Sequence, residues 1–304
     1  MMEMNPAPSS RERVKRLLRR KPVEGAVKGE LCLDTSIIRH TLGCERIGFE
    51  EKVHFVQWIG SDIICLTPAY LGSPGGLVQP DESLLTEAAL WIQQTKLFTF
   101  VMLDGAFELG VRTFGFQSFL RQMQKNPDEI KKYSDSVEEN NKNFTAKLAE
   151  HGVDGILIAD DIAYQDGLLF SPRTFRELFL PSLSRQVEYI ASKGMPVFFH
   201  SDGNYHAIIP SLIEAGFVGL HCIDKNCGMY PDALFKEYKN SLCLWGTIDV
   251  ADVPLLHTQE ASEIHTELSY IKALMNNNRL ILGTTSGLYP GIDIYRLVKF
   301  LRRL

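Results

Sequence analysis

The sequence has no apolar run approaching the roughly 20 residues needed to cross a bilayer. Its N-terminus lacks the apolar core of a secretory signal, so no membrane association is expected. Cysteine is sparse: six residues, Cys32, Cys44, Cys65, Cys222, Cys227 and Cys243, with no CxxC pair. That number excludes a disulfide scaffold and points to reduced thiols in a cytoplasmic compartment. Basic charge is not in surplus, since 32 Lys and Arg face 37 Asp and Glu for a net −5. Nucleic acid and anionic lipid are therefore not expected partners. No Gly-x-Gly-x-x-Gly turn follows an early strand, which argues against a dinucleotide-binding fold. Low-complexity segments and simple repeats are also missing. The 304 residues, 45% apolar and 23% charged, have the composition of a globular chain.

What is present is an alternation of short β-prone runs with helical stretches. Val27–Asp34, Asp62–Thr67, Phe98–Asp104, Val111–Phe116, Val153–Asp161, Met195–Asp202, Phe217–Asp224, Leu242–Asp249 and Arg279–Thr285 read as strands. Asp81–Leu97, Asp128–Glu150, Pro172–Lys193, Ala207–Ala215, Pro231–Tyr238, Glu260–Asn276 and Ile292–Leu304 read as helices. Continuous apolar runs such as Ile156-Leu157-Ile158 are the mark of parallel strands buried on both faces. An open doubly wound sheet and a closed (β/α)8 barrel both fit the alternation, and eight or nine units favour the α/β TIM barrel. The chain then reads as one barrel domain over 1–304, with an N-terminal helical extension at 1–26 and a helical insertion at 105–150. The extension carries the basic run from Arg11 to Lys21 around Val14, Leu17 and Leu18. It reads as a first helix with a solvated basic face, capped by Ser9 or Ser10.

A barrel places its chemistry at the C-terminal strand ends. There the sequence puts Asp34, Asp104, Asp160, Asp161, His200, Asp202, His221, Asp224, Asp249 and Thr285. His200 and Asp202 lie two apart at a strand end, so both can face one site. An imidazole with a carboxylate suits zinc or general acid–base work. Asp161, Glu177 and His200 are the candidate metal ligands, an O/O/N set with an open fourth position. The adjacent acids Asp160 and Asp161 leave open which of the two faces the site. Tyr164, Asp202, His221 and Asp249 are candidates for catalytic roles. Asp34, Asp104, Phe107 and Asp160 are candidates for substrate contact, and the aromatics Phe107, Phe114 and Tyr164 hint at an aryl ether.

The order of several short elements resembles the uroporphyrinogen decarboxylase superfamily. They are Gly152-Val153-Asp154-Gly155 with Asp160-Asp161, Ser171-Pro172-x-x-Phe175-x-x-x-Phe179-x-Pro181, His200-Ser201-x-Gly203, Glu214-Ala215-Gly216 and Leu244-x-Gly246-x-Ile248-Asp249, preceded by Arg11-Glu12-Arg13-Val14. The resemblance implies a (β/α)8 barrel of the uroporphyrinogen decarboxylase type. The superfamily also contains zinc- and corrinoid-linked methyltransferases. The arginine-rich segment of the decarboxylases has no counterpart in 30–48, where only Arg39 and Arg46 stand. An octa-acidic tetrapyrrole would be poorly neutralised there. The coenzyme M and methylamine branch uses His-x-Cys and a late Cys. Here Asp202 takes the first thiol's place, and Thr284, Thr285 and Ser286 occupy the late position. The O-demethylase-type branch uses an acid, a Glu and a His in that order, which Asp161, Glu177 and His200 match. The resemblance thus implies a zinc-dependent transfer of a methyl group from a small methylated ether or amine to a corrinoid protein. A metal-free decarboxylase or tetrapyrrole-binding barrel is the alternative, and a degenerate barrel that only binds a corrinoid or partner is a third reading.

Overall fold

The continuous apolar runs become the strands of one eight-stranded parallel sheet. The computed structural model describes residues 7–72, 78–238, 241–249, 261–276 and 279–304, without the side chains of 261–267. In chain order the strands are β1 (Val27–Lys28), β2 (Ile63–Leu66), β3 (Phe98–Asp104), β4 (Gly155–Ala159), β5 (Val197–His200), β6 (Gly219–His221), β7 (Cys243–Trp245) and β8 (Leu280–Leu282). From β2 to β8 each strand pairs with its sequence neighbour, and β8 pairs back onto β1. At the seam between β1 and β2, Asp62 N–H donates to the Lys28 carbonyl at 2.8 Å. The Asp62 carboxylate accepts the Lys28 N–H at 3.1 Å, standing in for a ladder bond. Helices fill the connections on the outside, so the fold is an α/β TIM barrel.

Two apolar layers hold it. Outside, the helices pack on the sheet around Phe55, Trp91, Ile156, Ile158, Phe199 and Leu220. Inside, Phe98, Phe100, Leu157, Phe198, Cys243, Trp245 and Ile281 fill the barrel. Phe100 contacts Phe198 and Trp245 at ring separations of 5.1 and 5.3 Å. This crowding requires a gap on the neighbouring strand: a Cβ on Gly219 would stand 2.2 Å from the Phe198 ring. Val14 of the first helix, Ser10–Leu18, joins the inner layer and plugs the barrel floor.

The basic face of that helix is not a solvated one. Arg13 pairs with Asp62 at 3.0 Å, and Arg11 and Lys15 hold Asp154 at 2.9 and 2.8 Å. These cations neutralise carboxylates that the strand starts bury. Ser9 provides the cap, accepting the Glu12 N–H.

Three expectations need correction. Val111–Phe116 is not a strand, because Val111 to Phe114 complete the helix Ala106–Phe114 and Gly115 ends it. The β-prone Val111, Thr113 and Phe114 are overridden by a helical face, with Ala106, Phe107, Leu109 and Gly110 buried. Pro172–Lys193 is two helices, Pro172–Leu178 and Leu180–Ser192. Pro181 sits in the first turn of the second, where its missing N–H costs nothing. The strands also end earlier than expected, so most polar strand ends lie in loops. Helices Phe116–Lys125 and Pro127–Glu150 complete the segment between β3 and β4. The expected helix Glu260–Asn276 is seen as Ala261–Met275, with Glu260 outside the described residues.

Candidate functional site

Register builds the centre of the site. His200 on β5, His221 on β6 and Trp245 on β7 are Cα partners across adjacent parallel strands. Residues in one row of a parallel sheet project to the same side, here the barrel interior just above the row of Phe198, Gly219 and Cys243. The ring nitrogens His200 Nδ1 and His221 Nδ1 lie 2.9 Å apart. His221 is fully buried, edge-on to Trp245 at 5.0 Å and 86°. The Tyr205 hydroxyl donates to its carbonyl at 2.8 Å. Burial, reinforced by His200, holds His221 well below the ordinary imidazole range. One of the two Nδ1 atoms must donate and the other accept. His221 Nε2 is buried with no partner. Gly246, at φ +75°, leaves its space open, since a Cβ there would stand 2.7 Å from that nitrogen.

His200 Nε2 points the other way, to Asp161 Oδ1 at 3.7 Å and Asp202 Oδ1 at 4.0 Å. Ligand atoms of Asp161, His200 and Asp202 all lie within 4.8 Å of one another. The imidazole is 9% exposed, whereas the carboxylates are 47% and 58% exposed. The group is thus buried behind and open in front. Its two loops are laced together. Asp202 N–H donates to Asp161 Oδ1 at 2.8 Å, and Ile162 N–H donates to Ser201 Oγ at 3.2 Å. Asn204 N–H donates to the Tyr164 carbonyl at 2.8 Å. Gly203, at φ +80°, passes so close to the Tyr164 backbone that a Cβ would approach it within 2.7 Å. An imidazole with two carboxylates is a donor set that fits zinc.

The adjacent acids Asp160 and Asp161 separate. Asp161 joins His200, while Asp160 turns inward and accepts the Glu108 N–H at 2.9 Å, capping the helix Ala106–Phe114. Gly105 is required beneath it, because a Cβ would stand 2.1 Å from Asp160 Oδ2. Burial pushes the Asp160 carboxyl well above its ordinary range. Asp104 is also buried and pushed up, although Arg112 pairs with it at 2.7 Å.

Glu177 is not brought to the group. It is exposed and pairs with Arg173 one helical turn away at 2.7 Å. In the geometry Asp202 stands third beside Asp161 and His200. Phe107 is a core residue packed on Phe119, Phe170 and Phe179, so it offers no surface to a substrate. Phe114 stacks on Phe119 in the same cluster. Asp34 is exposed and caps the helix Thr35–Leu42, accepting the Ser36 N–H at 2.7 Å. Tyr164 is exposed on the hairpin after β4. Asp249 lies on the rim against Asn226.

Several participants were not read from the sequence. Trp245 packs on the His221 ring, which only strand register reveals, and Tyr205, in the loop after β5, holds the His221 carbonyl. Glu30 is buried beneath the mouth and accepts from Thr284 N–H and Oγ1 at 3.0 and 2.6 Å. Burial pushes it up to about 7. Cys222 adopts φ +64° beside Asp202, and burial with that carboxylate pushes its thiol up.

Parallel barrel and strand-end imidazole–carboxylate group define a class of barrel enzymes, and comparison narrows it. The model of the uroporphyrinogen decarboxylase (URO-D) family matches residues 94–303, and the chain belongs to that family. It is 31% identical over 123 residues to the methylcobamide:CoM methyltransferase MtaA of Methanosarcina barkeri. That match covers 40% of this chain and 35% of the relative. The fold is shared with a methyltransferase from Methanosarcina mazei at TM-score 0.73, with 16% identity and 97% of each chain covered. A B12-independent methionine synthase from Shewanella sp. W3-18-1 superposes at TM-score 0.59, with 14% identity over 91% of this chain and 94% of that one. No helix among the described residues is long and apolar enough to cross a membrane.

Proposed function

We propose that the protein is a zinc-dependent methyltransferase that moves a methyl group from a small methylated ether or amine to the cobalt of a corrinoid carried on a partner protein. The observation that carries this reading is the Asp161–His200–Asp202 group at the open barrel mouth. Family membership and the partial identity to a methylcobamide-linked methyltransferase support it. Zinc, when bound by these three side chains, would supply Lewis acidity toward the donor heteroatom. Oxygen and nitrogen donors suit a hard leaving atom better than thiolates do.

The chain's own residues do the rest. His221 accepts from His200 Nδ1–H, which leaves His200 Nε2 as a bare lone pair facing the carboxylates. The Asp202 backbone N–H holds Asp161 Oδ1 toward His200. Tyr164 on the rim gives the donor an aromatic wall, and Asp249 borders the same mouth. In the transfer, the bond from methyl to heteroatom breaks with its electron pair on the heteroatom. The methyl–cobalt bond forms from the electron pair of Co(I), which becomes formally Co(III). The leaving atom takes a proton from solvent, admitted through the exposed front.

The acidic mouth weighs against the decarboxylase reading. Asp34, Asp161, Asp202, Asp224 and Asp249 surround it, and Arg112 is engaged by Asp104 and Glu108. A polycarboxylate substrate would meet like charge.

Incubation with methoxylated aromatics or methylamines and reduced cob(I)alamin tests the function. Donor-dependent conversion of cob(I)alamin to methylcobalamin, falling about 100-fold or more in His200→Ala, is expected. Absence of conversion with any donor, together with mass loss of carboxylates from uroporphyrinogen, would contradict it.

A further inference from the structure

The floor of the barrel, opposite the histidine mouth, holds a second cavity. Its volume is about 520 Å³, and it lies between the first helix and the starts of β3, β4, β5, β6 and β8. Lys15, Arg19, Lys193 and Arg279 line it against a single carboxylate, Asp154. Asp154 is already engaged by Arg11 and Lys15. Arg19 and Lys193 make no ion pair with a described residue, and Lys193 only stacks over Tyr189 at 5.0 Å. Arg279 donates weakly to the Leu18 carbonyl at 3.4 Å, and its Nε is buried without a partner. A desolvated guanidinium nitrogen with no acceptor is costly. Burial, with Arg20 nearby, pulls Arg279 below its ordinary range. Arg279 thus has no carboxylate partner among the described residues, the exposed Arg19 and Lys193 border the same void, and the void has the size of a small-ligand site. The remaining walls include the apolar Phe98, Met195 and Val218.

We propose that this floor cavity binds a phosphate-bearing small molecule, at a site separate from the methyl-transfer mouth. A phosphate dianion answers clustered cations better than a monocarboxylate, and guanidinium groups match its oxygens in pairs. Bound there, the anion would tie the first helix to the strand starts.

Calorimetric titration of the full chain with inorganic pyrophosphate and with a nucleoside diphosphate, at constant ionic strength, tests this without any turnover assay. Saturable binding below about 1 mM is expected. Affinity should fall about tenfold or more in Arg19→Glu/Lys193→Glu. Both positions are exposed, so the double variant keeps its fold, which circular dichroism checks. A nucleoside diphosphate that binds more tightly than pyrophosphate assigns the apolar wall to the organic part. Equal binding assigns the site to the phosphates alone. No saturable binding of either probe below about 10 mM, or equal affinity in the double variant, overturns the proposal.

Discussion

His221 shows how much a single buried ring decides. With Nδ1 2.9 Å from His200 Nδ1, it accepts only if it is neutral there, and its burial favours that state. In the proposed zinc site His221 is the acceptor, which puts the His200 proton on Nδ1 and leaves Nε2 to the metal. His221→Phe keeps the ring against Trp245 and removes the acceptor. Zinc affinity, measured by chelator competition, should fall by about 10–100-fold with little change in the fold. Unchanged affinity would show that His221 does not orient His200. The residue types at this site were legible in the sequence: His200, Asp202 and Asp161 stand at strand ends where a barrel puts its chemistry. Their partners were not. Glu177 fits a pattern of residue order, yet it projects to solvent beside Arg173. Phe107 reads as a pocket aromatic but faces three other rings in the core. Sequence order carries no information on which side of a helix meets the barrel mouth.

Among the elements, the strands were read most clearly, because parallel strands buried on both faces are unbroken apolar runs. Val111–Phe116 failed since β-branched composition is a local preference, and the helix there is decided by its packing on Phe119. The row His200, His221 and Trp245 also belongs to this scale, because it exists only through strand register. The weakest joint of the sheet is the one between β1 and β2, which Asp62 closes. Its carboxylate serves Arg13 and the Lys28 N–H together. Asp62→Ala should therefore destabilise the protein by about 2–3 kcal/mol, because two donors lose their acceptor. Urea unfolding measures this, and a loss below about 0.5 kcal/mol would show that the seam does not depend on Asp62.

For the whole molecule, the barrel concentrates negative charge at its mouth and positive charge at its floor, although the net charge is only −5. The mouth carries a pH dependence through Glu30, whose carboxyl rises from 4.5 to about 7 on folding. A folded-state pKa raised in this way gives stability that is complete below about pH 4.5 and lost as pH rises through 7. The loss amounts to about 3 kcal/mol. Glu30→Gln should remove it, so the variant gains on the parent protein between pH 4.5 and pH 8 in urea titrations. Parallel stability profiles would contradict that. The central claim is that imidazole and two carboxylates at the mouth hold zinc. Elemental analysis of protein purified without chelator tests it most directly. About one zinc per chain is expected for the parent protein and for Glu177→Ala, with less than about 0.1 for His200→Ala and Asp202→Ala. Less than about 0.1 zinc in the parent protein, or equal zinc in His200→Ala, would contradict the account.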